Sequence, residues 1–129
     1  MNTILKTLSY QIIFLVLIGG LSSSIAQTTK ESAPEARAQR WDDWMKVELT
    51  LSPEQEGKVH DVNLKYAKKN DELKSTSGSK KSKFQELKTN DTDKDAELKG
   101  ILTKDQFDTY LEKKKAFQKE MLRKLQNSK

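Results

Sequence analysis

Residues 51–55 read Leu-Ser-Pro-Glu-Gln and have the pattern of a helix start. The hydroxyl of Ser52 can accept a hydrogen bond from the amide three residues on, and the side chain of Gln55 can reach back to the amide of Ser52. Pro53 falls at the first helical position, where its missing N–H costs little. The stretch therefore predicts a helix that begins with a capping box.

The same pattern returns at residues 102–106, which read Leu-Thr-Lys-Asp-Gln. Thr103 and Gln106 are the capping residues here, and Leu102 can pack on Phe107 as a hydrophobic staple. One such stretch predicts only a helix start, whereas two indicate a pair of related helix entries within one small domain. We therefore expect a structural role for both motifs, whose defining residues are Leu51, Ser52, Gln55, Leu102, Thr103 and Gln106.

On either side of these motifs the chain has the pattern of long helices. Between residues 34 and 127 helix breakers are few, and apolar side chains recur at intervals of three and four. The predicted helices begin at Pro34, at Ser52, near Lys80 and near Lys104, and the last ends near Gln126. No segment after residue 26 predicts a strand. We expect an all-α fold of about four helices, arranged as long antiparallel helical hairpins.

The third predicted helix has a polar middle. Asp91 and Lys94 stand at positions where its seam should be apolar, and residues 90–93 are poor helix formers. We expect one continuous helix, with two shorter helices as the alternative. The apolar residues of its seam are Phe84, Leu87, Leu98 and Ile101.

The composition limits the size of the core. After residue 26 the chain has 103 residues, of which 29 are apolar and only 17 are Leu, Ile, Val or Phe. The same stretch carries 23 Lys or Arg against 19 Asp or Glu. So few strongly apolar side chains hardly stabilise a monomer, and they leave little material for a deep enzymatic pocket. We therefore expect a homodimer that binds other molecules at its surface.

Residues 1–26 have the order of a secretory signal peptide. Lys6 precedes an unbroken apolar run, and small residues at Ser24 and Ala26 suit a signal peptidase. The apolar run at residues 12–21 is half of the about 20 residues needed to span a bilayer, so we expect no stable membrane insertion after cleavage. We predict cleavage after Ala26, a flexible N-terminus at residues 27–33, and a periplasmic or secreted helical domain at residues 34–127.

These features together resemble the Spy/CpxP family of periplasmic proteins. The resemblance rests on the signal peptide, the helical chain without cysteine, and the two Leu-[Ser/Thr]-x-x-Gln motifs. It covers residues 34–127 and departs from the family at Ser52, where Thr is usual. It implies a thin, cradle-shaped antiparallel homodimer. The implied function is that of an ATP-independent chaperone for unfolded or misfolded envelope proteins, or of an envelope-stress regulator or accessory protein that binds one partner such as a sensor kinase.

The positive charge comes from lysine, with 21 lysines and three arginines in the chain. Because an exported protein meets no nucleic acid, and because arginine is favoured for contacts with bases and phosphates, we expect no nucleic-acid partner. Lysines instead favour fast capture of acidic unfolded segments. The candidate client-binding residues are Lys65, Lys68, Lys69, Trp41 and Trp44, and further lysine clusters lie at residues 80–83 and 113–115. The alternatives are a solvated face for the lysines and packing on the long helices for the tryptophans.

Metal binding and catalysis have little support in the sequence. His60 is the only histidine, and with Glu56 one turn earlier it could supply two metal ligands. A tight transition-metal site takes roughly three or four, so we expect a surface histidine with at most weak metal binding. Residues 91–95 resemble the start of a calcium loop, but Ala96 and Leu102 stand where Gly and Glu are needed. Without cysteine or a Gly-rich phosphate loop, we expect neither an enzyme nor a cofactor.

Overall fold

The computed structural model describes residues 33–127. They form four helices, which are α1 (Pro34–Leu49), α2 (Pro53–Glu72), α3 (Lys80–Lys99) and α4 (Lys104–Asn127). Within residues 33–127 there is no strand, and none of the four helices is long and apolar enough to cross a membrane. The prediction of an all-α fold with four helices is confirmed. The predicted signal peptide, its cleavage site and nearly all of the segment 27–33 lie outside the described residues.

The helix boundaries follow from local sequence. Pro34 opens α1 without a side-chain cap from Ala33. The first connection is short because Thr50 adopts a left-handed conformation with φ of 51° directly after α1, which ends the helix. At the start of α3, the hydroxyl of Ser79 accepts a hydrogen bond of 3.1 Å from the amide of Ser82. Every helix of the fold thus begins where the sequence predicts.

The third helix is continuous, as expected, and its polar middle faces other helices. Asn90 Nδ2 donates to Asn70 Oδ1 of α2 at 2.8 Å, and the hydroxyl of Tyr110 on α4 donates to Asp95 Oδ1 at 2.7 Å. Because these side chains have tertiary partners, packing stabilises a stretch whose intrinsic helix propensity is low.

The core lies where α1, α2 and the first half of α4 meet the end of α3. Its centre is made of fully buried side chains, among them Met45, Val59, Leu98 and Tyr110. The complete cluster of buried residues consists of Trp41, Met45, Leu49, Leu51, Val59, Val62, Tyr66, Leu98, Leu102 and Tyr110. The core therefore occupies only part of the length of the helices.

The expected seam of α3 is correct only in its second half. Leu98 is fully buried and Ile101 packs against the core, but Phe84 is 57% exposed and Leu87 is 40% exposed. The placement of Phe84 and Leu87 in the core was wrong because no other described element covers the first turns of α3 on that face. The apolar side chains at the beginning of α3 are therefore on the surface.

Because Leu98 of α3 is buried and Leu122 of α4 is exposed, the same Leu→Ala substitution should have different effects at the two positions. Leu98→Ala leaves a cavity in the core and should lower the free energy of unfolding by about 2–5 kcal/mol. Leu122→Ala, at a position that is 62% exposed, should change it by less than about 0.5 kcal/mol. Urea unfolding followed by circular dichroism measures both values. Similar losses in the two variants would contradict the described core.

Candidate functional site

Both Leu-[Ser/Thr]-x-x-Gln motifs form the hydrogen bonds that their pattern predicts. At the start of α2, the amide of Gln55 donates to Ser52 Oγ at 3.2 Å, and the amide of Ser52 donates to Gln55 Oε1 at 3.0 Å. At the start of α4, the amide of Gln106 donates to Thr103 Oγ1 at 3.3 Å, and the amide of Thr103 donates to Gln106 Oε1 at 2.9 Å. Each motif is therefore a complete capping box.

The two capping glutamines also bind each other. Gln55 Nε2 donates to Gln106 Oε1 at 2.7 Å, and Gln106 Nε2 donates back to Gln55 Oε1 at 3.1 Å. The same amide groups each donate to a backbone carbonyl just before the other motif: Gln55 Nε2 donates to the carbonyl of Ile101, shortly after the end of α3, at 3.2 Å, and Gln106 Nε2 donates to the carbonyl of Leu49, the last residue of α1, at 3.1 Å. We call this arrangement of Gln55 and Gln106 the glutamine pair.

The glutamine pair satisfies polar groups that helix ends leave without a partner. Helices expose backbone N–H groups at their starts and backbone carbonyls at their ends. Each glutamine bonds one such N–H group and one such carbonyl. Leu51 and Leu102, the first residues of the motifs, are buried beside the pair in the core. The sequence predicts each cap but not the pairing, whose only signal is that both motifs carry Gln at the same position.

A layer of charged and polar side chains lies between α3 and α4. The ammonium of Lys114 donates to Asp91 Oδ2 at 2.9 Å and also to Asp95, and Gln118 Nε2 donates to Asp91 Oδ1 at 3.2 Å. Lys114 is only 7% exposed. Burial opposes its charge, but the hydrogen bonds to Asp95 and Asp91 raise its pKa above the ordinary value. Lys114 therefore belongs to the interior, not to the basic surface cluster at residues 113–115.

A second lysine of this layer, Lys94, is also buried, with 6% of its surface exposed. Its Nζ lies 3.6 Å from the centroid of the Trp41 ring, in cation–π geometry. Burial lowers the pKa of Lys94 to about 7, and the nearby charges of Asp91 and Asp95 offset only part of this effect. An uncompensated positive charge at this position therefore costs stability.

The two tryptophans pack inside the domain. Trp44 stacks on Phe117 of α4 with ring centroids 4.6 Å apart, and Trp41 meets the same ring edge-on at 4.8 Å. Tyr110 lies 6.2 Å from both tryptophan rings. Trp41 is buried and Trp44 is half-buried, so the structure supports the packing interpretation over a contact with clients. These rings attach α4 to α1.

Lys65, the first of the three candidate client-binding lysines, is engaged within the domain. Its Nζ donates to Glu97 Oε2 of α3 at 2.6 Å, and the hydroxyl of Tyr66 donates to Glu97 Oε1 at 2.7 Å. The hydrogen bonds from Lys65 and Tyr66 lower the pKa of Glu97. The positive charge of Lys65 is therefore matched by a carboxylate.

The other two candidate lysines lie on the same exposed side of α2. Lys68 Nζ is 4.0 Å from a carboxylate oxygen of Glu35, and Lys69 Nζ is 4.9 Å from the centroid of the Tyr66 ring. The structure thus brings Lys65, Lys68 and Lys69 together, but each has a partner within the domain.

His60 is exposed and pairs with α1. Its Nδ1 lies 2.6 Å from Asp42 Oδ2, and Asp42 Oδ1 accepts a hydrogen bond of 2.7 Å from Asn63. Among residues 33–127, no three His, Cys, Asp or Glu side chains come close enough together to hold a metal ion. His60 therefore forms a surface hydrogen bond with Asp42.

An apolar groove of about 380 Å³ lies at the end of the domain that is remote from the glutamine pair. Leu73, Leu87 and Leu125 line it, and they come from α2, α3 and α4. Arg37, Asn70, Lys74 and Lys83 complete the lining. The sequence gives no direct signal for this groove, since its residues are far apart along the chain.

The fold and the site define an all-α domain whose second and fourth helices begin with capping boxes that are joined by a glutamine pair. The chain belongs to the family described as a domain of unknown function, DUF4890, which matches residues 24–110. The matched residues contain both motifs and the glutamine pair. No curated protein and no solved structure matches the chain.

The glutamine pair predicts unequal effects for the two halves of one capping box. Thr103→Ala removes a single cap and should lower the free energy of unfolding by about 1 kcal/mol. Gln106→Ala removes the reciprocal cap bond, both hydrogen bonds with Gln55 and the bond to the Leu49 carbonyl, and should cost about 2–3 kcal/mol. Thermal unfolding measures both, with the exposed Gln126→Ala as a control that changes little. A loss in Gln106→Ala no larger than that in Thr103→Ala would contradict a role for the pairing.

The buried Lys94 predicts a stabilising substitution with a defined pH dependence. Lys94→Met keeps the contact with Trp41 and removes the buried charge, so at pH 7 it should raise the free energy of unfolding by about 1 kcal/mol or more. Between pH 7 and about pH 10 the unfolded chain keeps a proton on Lys94 that the folded protein has lost, which stabilises the wild type by up to about 1.4 kcal/mol per pH unit. The advantage of the variant should therefore shrink as the pH rises.

Chemical unfolding at pH 7, 8 and 9 measures this dependence, with the exposed Lys115→Met as the control whose difference from the wild type stays constant. An advantage of Lys94→Met that does not change with pH would show that the charge on Lys94 is not the source of the cost.

Proposed function

We propose that the protein is an exported, ATP-independent chaperone-like protein that binds unfolded or misfolded envelope proteins. The observation that carries this proposal is the meeting of the two Leu-[Ser/Thr]-x-x-Gln motifs in the glutamine pair. It supports the resemblance to the Spy/CpxP family because both motifs act together in one helical unit instead of serving as unrelated helix starts.

The contacts between helices support antiparallel hairpins as the architecture. Along α2 and α3, Tyr66 bonds Glu97 and Asn70 bonds Asn90, so later residues of α2 meet earlier residues of α3. The turn between them holds Gly78 at φ of 151°, a conformation that L-residues rarely adopt. Long hairpins of this kind suit the cradle that the resemblance implies.

The surface supports binding without an energy source. Exposed apolar side chains such as Phe84 lie among lysines, and Lys88 Nζ is 4.8 Å from the centroid of the Phe84 ring. Long-range attraction speeds the capture of acidic segments, and scattered apolar contacts hold them loosely. Loose binding allows a client to leave by folding.

The thin core supports a homodimer as the working form. The connected cluster of buried apolar side chains within residues 33–127 has only ten members, and a core of this size contributes little beyond the entropy cost of folding. Sedimentation at low micromolar concentration should show a dimer, and a stable folded monomer as the only species would contradict this part of the proposal.

Suppression of aggregation tests the function. The purified domain, without ATP and at near-stoichiometric amounts, should slow the aggregation of several unrelated unfolded proteins, as measured by light scattering. Association with an acidic unfolded protein should slow between 0.1 M and 1 M salt, because the Debye length falls from about 10 Å to about 3 Å. Protection of a single protein would favour the alternative of a regulator or accessory protein, and protection of none would overturn the proposal.

A further inference from the structure

The positive charge of the domain is concentrated at the end that holds the groove. We call residues 70–90 and 118–127 the basic end; they carry eight Lys or Arg and four Asp or Glu. The remaining described residues carry thirteen Lys or Arg and fourteen Asp or Glu. The whole positive excess of the described domain therefore lies at the basic end. The glutamine pair lies about 30 Å away, the length of the 20-residue helix α2.

Three lysines of the basic end differ in their partners from two of the candidate lysines of α2. Lys80, Lys81 and Lys83, at the start of α3, form no ion pair with any residue of the described range 33–127. Lys65 is matched by Glu97, and Lys68 lies near Glu35. Charges without a nearby counter-charge act over a longer range, so the three lysines at the start of α3 form a positive cluster that attracts acidic groups.

Apolar side chains are exposed at the same place. Phe84 and Leu122 are more than half exposed. Leu87 and Leu125, each three residues further along the same helix, line the groove. Lys88 Nζ lies 4.8 Å from the centroid of the Phe84 ring, so charge and apolar surface are directly adjacent. An occupant of this surface gains most if it carries both acidic and apolar side chains.

We propose that the groove of the basic end is the docking site for an acidic polypeptide segment that presents apolar side chains. Lys80, Lys81 and Lys83 attract the segment, and Leu73, Leu87 and Leu125 contact its apolar residues. The biological role of this site as a client-binding site rests on the proposed function. The proposal places capture on the start of α3, away from Lys65, Lys68 and Lys69.

Charge complementarity selects this occupant over two others. A second copy of the domain docked by the same face places one set of unpaired lysines against another, and like charges across an interface cost several kcal/mol. An anionic membrane matches the charge, but a membrane surface offers no side chains to enter a groove whose walls come from three helices. A polypeptide segment satisfies both the charge and the shape.

Two triple variants with the same change in charge test the location. The probe is a short fluorescent peptide in which Glu alternates with Leu and Phe, and stopped-flow mixing measures its association rate. Replacement of Lys80, Lys81 and Lys83 by Gln should slow association about tenfold, within the usual range of electrostatic steering. Replacement of Lys65, Lys68 and Lys69 by Gln should slow it less than about twofold. Equal effects, or a larger effect in the second variant, would overturn the proposal.

The apolar contacts are tested through dissociation. Phe84→Ser combined with Leu87→Ser should raise the dissociation rate of the peptide severalfold, and both side chains are exposed enough for the fold to tolerate the change. Val47→Ser, on the 77% exposed surface of α1, is the control and should leave dissociation unchanged. An unchanged dissociation rate in the double variant would overturn the groove as the site.

Three further measurements decide between the occupants. The same peptide with Lys in place of Glu should not bind. Vesicles of phosphatidylglycerol should bind the protein more weakly than the peptide does. If the vesicles bind more tightly, and if this binding is lost in the variant with Gln in place of Lys80, Lys81 and Lys83, the proposal is overturned in favour of a membrane surface. A change in the oligomeric state of the Phe84 and Leu87 variant, with peptide binding unchanged, would overturn it in favour of a second copy.

The outcome also separates this inference from the proposed function. If the wild type protects unfolded proteins from aggregation and the Lys80, Lys81 and Lys83 variant protects equally well, the chaperone function stands and the groove is not its site. If the wild type binds the acidic peptide at the groove but protects no unfolded protein, the docking site stands and the chaperone function fails.

Discussion

The reciprocal hydrogen bonds between Gln55 and Gln106 are the constraint on which the arrangement of the helices depends. Each glutamine caps the start of its own helix and bonds a backbone carbonyl at the end of the helix that leads into the other motif. Two helix starts and two helix ends are thereby fixed at one point, beside the buried Leu51 and Leu102. The opposite end has no comparable constraint among the described residues, and there apolar side chains and unpaired lysines reach the surface. We propose that one end of the domain holds the helices together and that the other end binds partners.

In the middle of the domain, paired charged side chains lie between α3 and α4 where a larger protein has apolar side chains. Lys114 bonds Asp91 and Asp95 in a layer that also holds Tyr110. Such layers stabilise less than well-packed apolar side chains of the same volume, but the breaking of one partner is costly, so they favour a single arrangement of the helices. Lys94 is the exception, because burial against Trp41 lowers its pKa. A marginal domain of this kind is consistent with the dimer that we propose.

The sequence predicts those features that depend on neighbours along the chain. Helix boundaries and both capping boxes follow from local hydrogen bonding and from the spacing of apolar residues, whereas the polar middle of α3 is also stabilised by partners on α2 and α4. The glutamine pair, the burial of Lys114 and the exposure of Phe84 depend on contacts between residues that are far apart in sequence. The spacing of apolar residues places Phe84 and Leu98 on the same face of α3. It does not show that only Leu98 is buried by other helices. The basic clusters are visible in the sequence, whereas their internal partners, such as Glu97 for Lys65, are not.

Residue-specific mapping of binding by NMR tests most directly the claim that one end holds the helices together and the other end binds. Titration of the ¹⁵N-labelled domain with an acidic unfolded protein should shift the amide signals of residues 70–90 and 118–127. The side-chain amide signals of Gln55 and Gln106 should stay in place, because the glutamine pair has no part in binding. Shifts centred on Gln55 and Gln106, or spread evenly over all four helices, would contradict the account.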